Sequence, residues 1–236
     1  MRRPSAYNHH MNTFPSKNVL VVVPVYNAEQ HLPELIGRCR RVIDDSCLLF
    51  INDGSTDDSL AIMKAQDVNY LSFPANRGKG AALKAGFDYA TRHGFQAVLT
   101  LDADLQHLPE EIPRFLNRND GLKLLLGTRR IKRGHMPPER RLSNNLTSLI
   151  VSVFSTQRVR DSQSGFRLIP TSLLRSTRLK TVNYDFESEL LFKAGALGYR
   201  IAEVPISTVY EGSRSFINPL ADTLRFIRQM WRRIWN

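Results

Sequence analysis

Four times in succession, an apolar run of strand length is followed by a stretch with helical spacing. The first run, Val19-Leu20-Val21-Val22-Val23, is rich in β-branched residues and is halted by Pro24. A run apolar at every position reads as a strand buried on both faces. Leu32, Leu35, Ile36, Cys39 and Val42 then recur near helical spacing within residues 28–42. Leu48 to Ile51 is the second strand, followed by a helix with Thr56 as its N-cap. Val68 to Phe73 and Gly80 to Arg92 form the third pair, Ala97 to Leu101 and Pro109 to Asn117 the fourth, and Leu122 to Leu126 a fifth strand. Such alternation predicts an α/β fold: a mostly parallel, Rossmann-like central sheet with helices on both faces.

In sheets of this kind ligands bind beyond the carboxyl ends of the strands. A polar cluster follows each predicted strand: Tyr26-Asn27, Asp53-Gly54-Ser55, Asn76-Arg77-Gly78, Asp102-Ala103-Asp104 and Gly127-Thr128-Arg129. Five clusters along one sheet edge point to a ligand cleft.

Asp102 and Asp104 are two residues apart, so an extended chain sets both carboxylates on one side. They repel unless neutralised, and a divalent cation does this through hard oxygen ligands while leaving places for substrate phosphates. Gln106 offers a further carbonyl oxygen. The alternative is an exposed acidic turn capping the helix near Pro109. Asp53-Gly54-Ser55 can hydrogen-bond a base or ribose, or it is an ordinary strand-to-helix turn. Asn76-Arg77-Gly78-Lys79-Gly80 brings backbone N–H groups and two cations to a helix N-terminus, which suits a diphosphate. It has the spacing of neither a P-loop nor a dinucleotide fingerprint.

Beyond residue 130 the pattern changes. Ile131 to Arg141 is a basic, proline-containing loop; Leu142 to Phe154 contains a helical candidate. A turn and short strand span Asp161 to Ile169, a helix Phe186 to Leu197, and a strand Tyr199 to Pro205. Charge shifts as well. Residues 1–111 carry 11 Lys/Arg and 13 Asp/Glu, a net of −2; residues 112–236 carry 22 and 9, a net of +13. The basic half calls for a polyanionic partner or is a solvated face. Nucleic acid is not the expected partner, since zinc spacing, an aromatic RNP pattern and a recognition helix are all missing from the sequence. Cys39 and Cys47 cannot build a disulfide framework. No apolar stretch reaches 18 residues, and the polar N-terminus has no signal-like h-region.

The ordered strings Val23-Pro24-Val25-Tyr26-Asn27, Asn52-Asp53-Gly54-Ser55-Thr56-Asp57, Asn76-Arg77-Gly78-Lys79-Gly80-Ala81-Ala82 and Leu101-Asp102-Ala103-Asp104-Leu105-Gln106-His107 resemble a family 2 glycosyltransferase of the GT-A fold. Gly127-Thr128-Arg129, Asp161-Ser162-Gln163-Ser164-Gly165-Phe166-Arg167 and residues 198–205 are similar to the branch that includes dolichol-phosphate mannose synthases and polyprenyl-phosphate hexosyltransferases. The resemblance implies an inverting, metal-dependent transferase that moves a hexose from a GDP-mannose or UDP-glucose type donor to a polyprenyl or dolichyl phosphate.

It implies roles as well. Pro24, Tyr26, Asn27, Glu29, Ile51, Asp53 and Lys79 would line the nucleotide-sugar site together with Asp102, Ala103, Asp104 and Gln106. The family's usual Glu directly after Asn is Ala28 here, with Glu29 one place later. Asp102, Asp104 and Gln106 would hold Mg²⁺ or Mn²⁺. Arg129, Arg140, Arg141, Ser164 and Arg167 would take the acceptor phosphate, and Asp104, Arg129 and Arg214 would serve catalysis. A phosphate acceptor is already ionised and needs no strong base; a hydroxyl acceptor would make Asp161 or Asp185 suspects.

The expected organisation is a tail over 1–17, a GT-A domain over 18–215 and a basic amphipathic helix over 216–236. In that last segment Leu220, Leu224, Ile227, Trp231 and Ile234 form the apolar stripe, flanked by Arg225, Arg228, Arg232 and Arg233. The stripe suits a membrane interface, or it packs on the core or on a second subunit of a homo-oligomer. The expected location is cytoplasmic, peripheral on the inner face of a membrane.

Overall fold

The computed structural model describes residues 18–129, 147–153, 155–177, 179 and 186–207. The expected tail, the basic loop with Arg140 and Arg141, Asp185, Arg214 and the amphipathic C-terminal segment all lie outside the described residues.

The described chain builds one seven-stranded sheet: β1 (Val19–Val25), β2 (Leu48–Asn52), β3 (Tyr70–Ser72), β4 (Ala97–Thr100), β5 (Lys123–Arg129), β6 (Arg167–Pro170) and β7 (Arg200–Ile206), in the order β3-β2-β1-β4-β6-β5-β7. All neighbouring pairs are parallel except those of β6, which runs antiparallel to both β4 and β5. The helices are α1 (Leu32–Arg40), α2 (Ser59–Ala65), α3 (Lys79–Arg92), α4 (Ile112–Leu116), α5 (residues 147–153), α6 (Thr171–Ser176) and α7 (Phe186–Ala196).

Alternation along β1 divides the core in two. Val19, Val21, Val23 and Val25 face one layer with Leu32, Leu35, Ile36 and Cys39 of α1. Leu20 and Val22 face the other, with Ala82, Leu83, Phe87 and Ala90 of α3. Successive strand side chains point to opposite faces, so a run apolar at every position is one covered by helices on both sides. Each fully buried Val, Leu, Ile or Phe contributes about 1.5–3 kcal/mol relative to an exposed one. α3 lies so close on β1 that a Cβ at Gly86 would overlap Val22 Cγ1 and sit 3.0 Å from its Cγ2.

From β1 the chain steps outward through β2 to β3, then returns to place β4 on the other side of β1. The strand order therefore reverses between β1 and β4, and the crevice at their carboxyl ends lies between Tyr26-Asn27 and Asp102.

Two boundaries differ from expectation. α2 starts at Ser59 with Asp58 as its N-cap residue, not at Thr56. The Thr56 N–H is taken by Asn27 Oδ1 at 2.8 Å, while Asp57 Oδ1 accepts from the Ser59 N–H at 3.0 Å. The stretch from Pro109 to Asn117 divides into a 3₁₀ turn, Pro109–Glu111, and the short α4.

Candidate active site

Each cluster at the strand ends is fastened to another by hydrogen bonds that span long sequence distances. After β2, the Asp53 carboxylate accepts the Arg77 N–H at 2.8 Å and the Gly78 N–H at 2.9 Å. This side chain, only 3% exposed, fixes the loop that opens α3. Gly54 has φ +67°, and a Cβ on it would overlap the Ala75 backbone and lie 2.5 Å from the Asn76 nitrogen. Only glycine meets both demands.

After β1, the Ala28 N–H donates to Ser59 Oγ at 2.9 Å, and Glu29 Oε2 accepts the Asp58 N–H at 3.0 Å. The carboxylate of Glu29, expected at the nucleotide, thus closes the start of α2. Tyr26 is half exposed at the cleft edge, and Pro24 is partly buried. Ile51, expected to face the base, is fully buried in the α3-side layer, because strand alternation turns it inward.

The acidic tip lies past β4. Asp102 Oδ1 is 2.7 Å from Lys79 Nζ, and the same ammonium is 2.8 Å from Glu187 Oε1. Lys79 opens α3 and Glu187 lies in the first turn of α7, so one side chain joins three elements. Burial pushes the Asp102 carboxyl up, but the Lys79 and His107 charges outweigh it and hold the group below the ordinary carboxylate range. Burial also opposes the Lys79 charge, yet the two carboxylates raise its pKa well above that of a free lysine.

Asp104 differs. Its Oδ1 accepts the Gln106 N–H at 3.0 Å. Burial, and then the charge of Asp102, raise its pKa above the carboxylate norm. Both burial and the neighbouring negative charge disfavour its ionised form. His107 follows, 4% exposed, with neither ring nitrogen partnered among the described residues and its ring 5.6 Å from that of Phe166. Burial lowers its pKa.

These residues fit a hard divalent cation. Among the described residues no group of three or more His, Cys, Asp and Glu side chains could hold a metal. Two carboxylates, with an amide carbonyl at Gln106, leave most coordination positions to water and substrate oxygens, as Mg²⁺ and Mn²⁺ sites commonly do.

On the basic half, Arg129 and Asp161 form a two-pronged ion pair: Nε to Oδ2 and Nη2 to Oδ1, both 2.7 Å. Asp161 is 2% exposed, and this pairing commits its carboxylate. Arg167, expected at the acceptor phosphate, is 1% exposed and donates to the backbone carbonyls of Ser164, Ser162 and Glu187. It clamps the 162–164 turn to α7, because its Nε, Nη1 and Nη2 all donate to backbone carbonyls there. Gly127 N–H donates to Phe166 O at 2.8 Å, which brings the ends of β5 and the turn before β6 together. Among the described residues, the buried hydroxyls of Thr128 and Ser164 find no partner there.

Residues 20–182 match the glycosyl transferase family 2 model. The chain belongs to that family. This family 2 glycosyltransferase is 32% identical over 206 residues to polyprenol monophosphomannose synthase of Mycolicibacterium smegmatis, covering 82% of this chain and 78% of the relative. It is 32% identical over 202 residues to undecaprenyl-phosphate mannosyltransferase of Micrococcus luteus, covering 81% and 83%. Its fold is shared with glucosyl-3-phosphoglycerate synthase of Mycobacterium tuberculosis in complex with Mg²⁺ and uridine diphosphate: TM-score 0.75, 21% identity, 99% of this chain and 85% of that one.

The motif reading of the glycosyltransferase found Lys79 and Asp102 but not their shared partner. Glu187 lies 108 residues from Lys79. Its local signal is an acidic residue in a first helical turn, which reads as helix-dipole complement.

Proposed function

We propose that this glycosyltransferase moves a hexose from a nucleotide-diphosphate sugar, of the GDP-mannose or UDP-glucose type, to a polyprenyl phosphate, with inversion at the anomeric carbon. The observation that carries the reading is the Asp102–Asp104 pair just past β4, at the switch point of the sheet. The names of the two mannosyl-transferring relatives support a polyprenyl phosphate acceptor, and the Mg²⁺ and uridine diphosphate of the solved neighbour support a divalent cation.

In this reading Asp102, Asp104 and Gln106 hold Mg²⁺ or Mn²⁺, with Ala103 beside the donor. When bound, the cation supplies charge for the departing diphosphate. Tyr26, Asn27 and Asp53 shape the nucleoside side, and Lys79 offers its ammonium to the diphosphate. An ionised oxygen of the acceptor phosphate attacks the anomeric carbon as the bond to the donor diphosphate breaks, releasing a nucleoside diphosphate. Because that oxygen needs no base, the commitment of Asp161 to Arg129 costs the reaction nothing. The acceptor phosphate is assigned to Arg129, Arg140, Arg141 and the turn that carries Ser164, and Arg129 and Arg214 are assigned to the charge on the departing diphosphate. Arg167 acts by holding the 162–164 turn. The GT-A domain spans 18–215, and the basic amphipathic segment 216–236 rests on the cytoplasmic face of the membrane that holds the lipid. No described helix is long and apolar enough to cross a membrane.

The test is transfer of labelled mannose from GDP-mannose, or glucose from UDP-glucose, to undecaprenyl phosphate, with Mn²⁺ and with EDTA. Lipid-linked sugar that forms only with the metal, and that falls about 100-fold or more in Asp104→Ala, is the expected result. Undiminished turnover in that variant, or transfer unaffected by EDTA, removes the metal assignment. Label appearing only on a hydroxyl acceptor removes the lipid phosphate.

A further inference from the structure

The Lys79 ammonium and a divalent cation would compete for the same carboxylate. Gly165 lies against Asp102, where a Cβ would overlap Oδ2 and lie 2.8 Å from Cγ and 2.9 Å from Oδ1. Lys79 holds Oδ1 at 2.7 Å. A dipositive ion on that carboxylate would sit beside the ammonium and repel it, the more so in a part-buried site. Lys79 has another place to go, since Glu187 Oε1 holds the same nitrogen at 2.8 Å. Glu187 is itself only 14% exposed and is anchored by helix α7. Its backbone carbonyl is further held by Arg167.

We propose that Lys79 is a displaceable internal counter-cation of Asp102, and that Glu187 is the positioning residue that keeps it at the cleft when a divalent cation takes its place. The proposal rests on the reading that Asp102 and Asp104 bind such a cation. Before loading, Lys79 neutralises Asp102 and keeps two close carboxylates from repelling each other. On loading, Lys79 releases Asp102 and stays on Glu187, so the freed donors of its ammonium turn to the donor diphosphate. Glu187 affects metal binding only through Lys79. No covalent bond changes in this exchange.

The exchange predicts a coupling that simple charge removal does not. Mn²⁺ alone is titrated into the full-length protein and followed by electron paramagnetic resonance, in the wild type, Lys79→Met, Glu187→Gln and the double variant. Lys79→Met, which removes the competitor, binds Mn²⁺ about tenfold tighter; Glu187→Gln, which removes the docking point, binds it about fivefold weaker. In the Lys79→Met background, Glu187→Gln changes Mn²⁺ affinity less than about twofold. An equal loss in both backgrounds means that Glu187 acts as an independent charge, and overturns the proposal. A Lys79→Met protein that binds Mn²⁺ no tighter than wild type also overturns it.

Crystals of the wild type soaked with Mn²⁺ and GDP or UDP give a second measurement that needs no variant to fold. Lys79 Nζ is expected beyond hydrogen-bond distance of Asp102 and still on Glu187. Mn²⁺ bound at Asp102 with Lys79 unmoved sinks the exchange but leaves the metal site standing. Failure of Mn²⁺ to bind at Asp102 and Asp104 in any of these samples sinks both.

Discussion

Gly165 stands against the carboxylate of Asp102, where a Cβ would overlap Oδ2 and come within 2.9 Å of Oδ1. The approach is enforced by Thr100 at the end of β4, whose hydroxyl donates to the Gly165 carbonyl at 2.6 Å. The antiparallel β6 is thereby drawn onto the acidic tip, and its leading turn becomes the back wall of the site.

Gly165→Ala therefore forces either the carboxylate to rotate or the turn to retreat. Overpacking of this kind costs about 1–3 kcal/mol, so the protein remains folded. Misplacing a metal-binding carboxylate by a fraction of an ångström lowers the transfer rate by about tenfold or more. Steady-state kinetics, together with a Mn²⁺ titration, checks this. Wild-type values for both would show that Asp102 tolerates displacement.

Asp161→Asn separates two roles that the Arg129 pair combines. The substitution is nearly isosteric, yet it leaves a mostly buried guanidinium beside a neutral amide. Breaking a buried pair in this way costs about 3 kcal/mol. Urea unfolding at neutral pH measures it, and a loss below about 1 kcal/mol would mean that solvent already screens the pair.

Arg167→Met distinguishes a clamp from a phosphate ligand. Three backbone carbonyls lose their donor, at about 1–3 kcal/mol for each acceptor left buried and unpaired. The expected outcome is a melting temperature that falls steeply, with little recovery in Arg167→Lys, whose ammonium cannot reproduce the planar fork. A raised KM for lipid phosphate at an unchanged melting temperature would instead make Arg167 an acceptor contact.

The thiols report on the integrity of the α1 layer. Cys39 and Cys47 are 0% and 2% exposed. Burial, followed by the negative charge of Glu110, pushes the Cys39 thiol up to about 12. At pH 8 roughly one Cys39 in ten thousand is then thiolate, the reactive form. A colorimetric disulfide reagent is expected to label no thiol in the native protein at pH 8 and two per chain in guanidinium chloride. Rapid native labelling would reveal local opening of α1 from the sheet.

Strands β1, β2, β4 and β5 were legible because a doubly covered parallel strand is apolar at every position, a pattern that needs no knowledge of partners. Helices α1, α3 and α7 followed from their spacing, whereas the short α6 after β6 was not anticipated. Asp53, Asp102 and Asp104 stood out because a charged residue directly after such a strand falls on one edge of the sheet. Ile51 was harder to place. It too lies at a strand end, but alternation turns its side chain into the α3 layer. Glu29 and Arg167 carry the charge a ligand site calls for, yet their hydrogen bonds go to a helix start and to three backbone carbonyls.

What the amino-acid order determined by itself was the alternation of elements, the sheet edge on which polar groups gather, and the pair of carboxylates that marks the cleft. Those are local properties, set by side-chain period and by residues adjacent along the chain. The tertiary structure alone decided which residues meet: Lys79 with Glu187, Arg129 with Asp161, and Gly165 with Asp102. Such pairs lie 32 to 108 residues apart, and nothing in a local window encodes a contact that exists only once β6 and α7 have closed over the tip of β4.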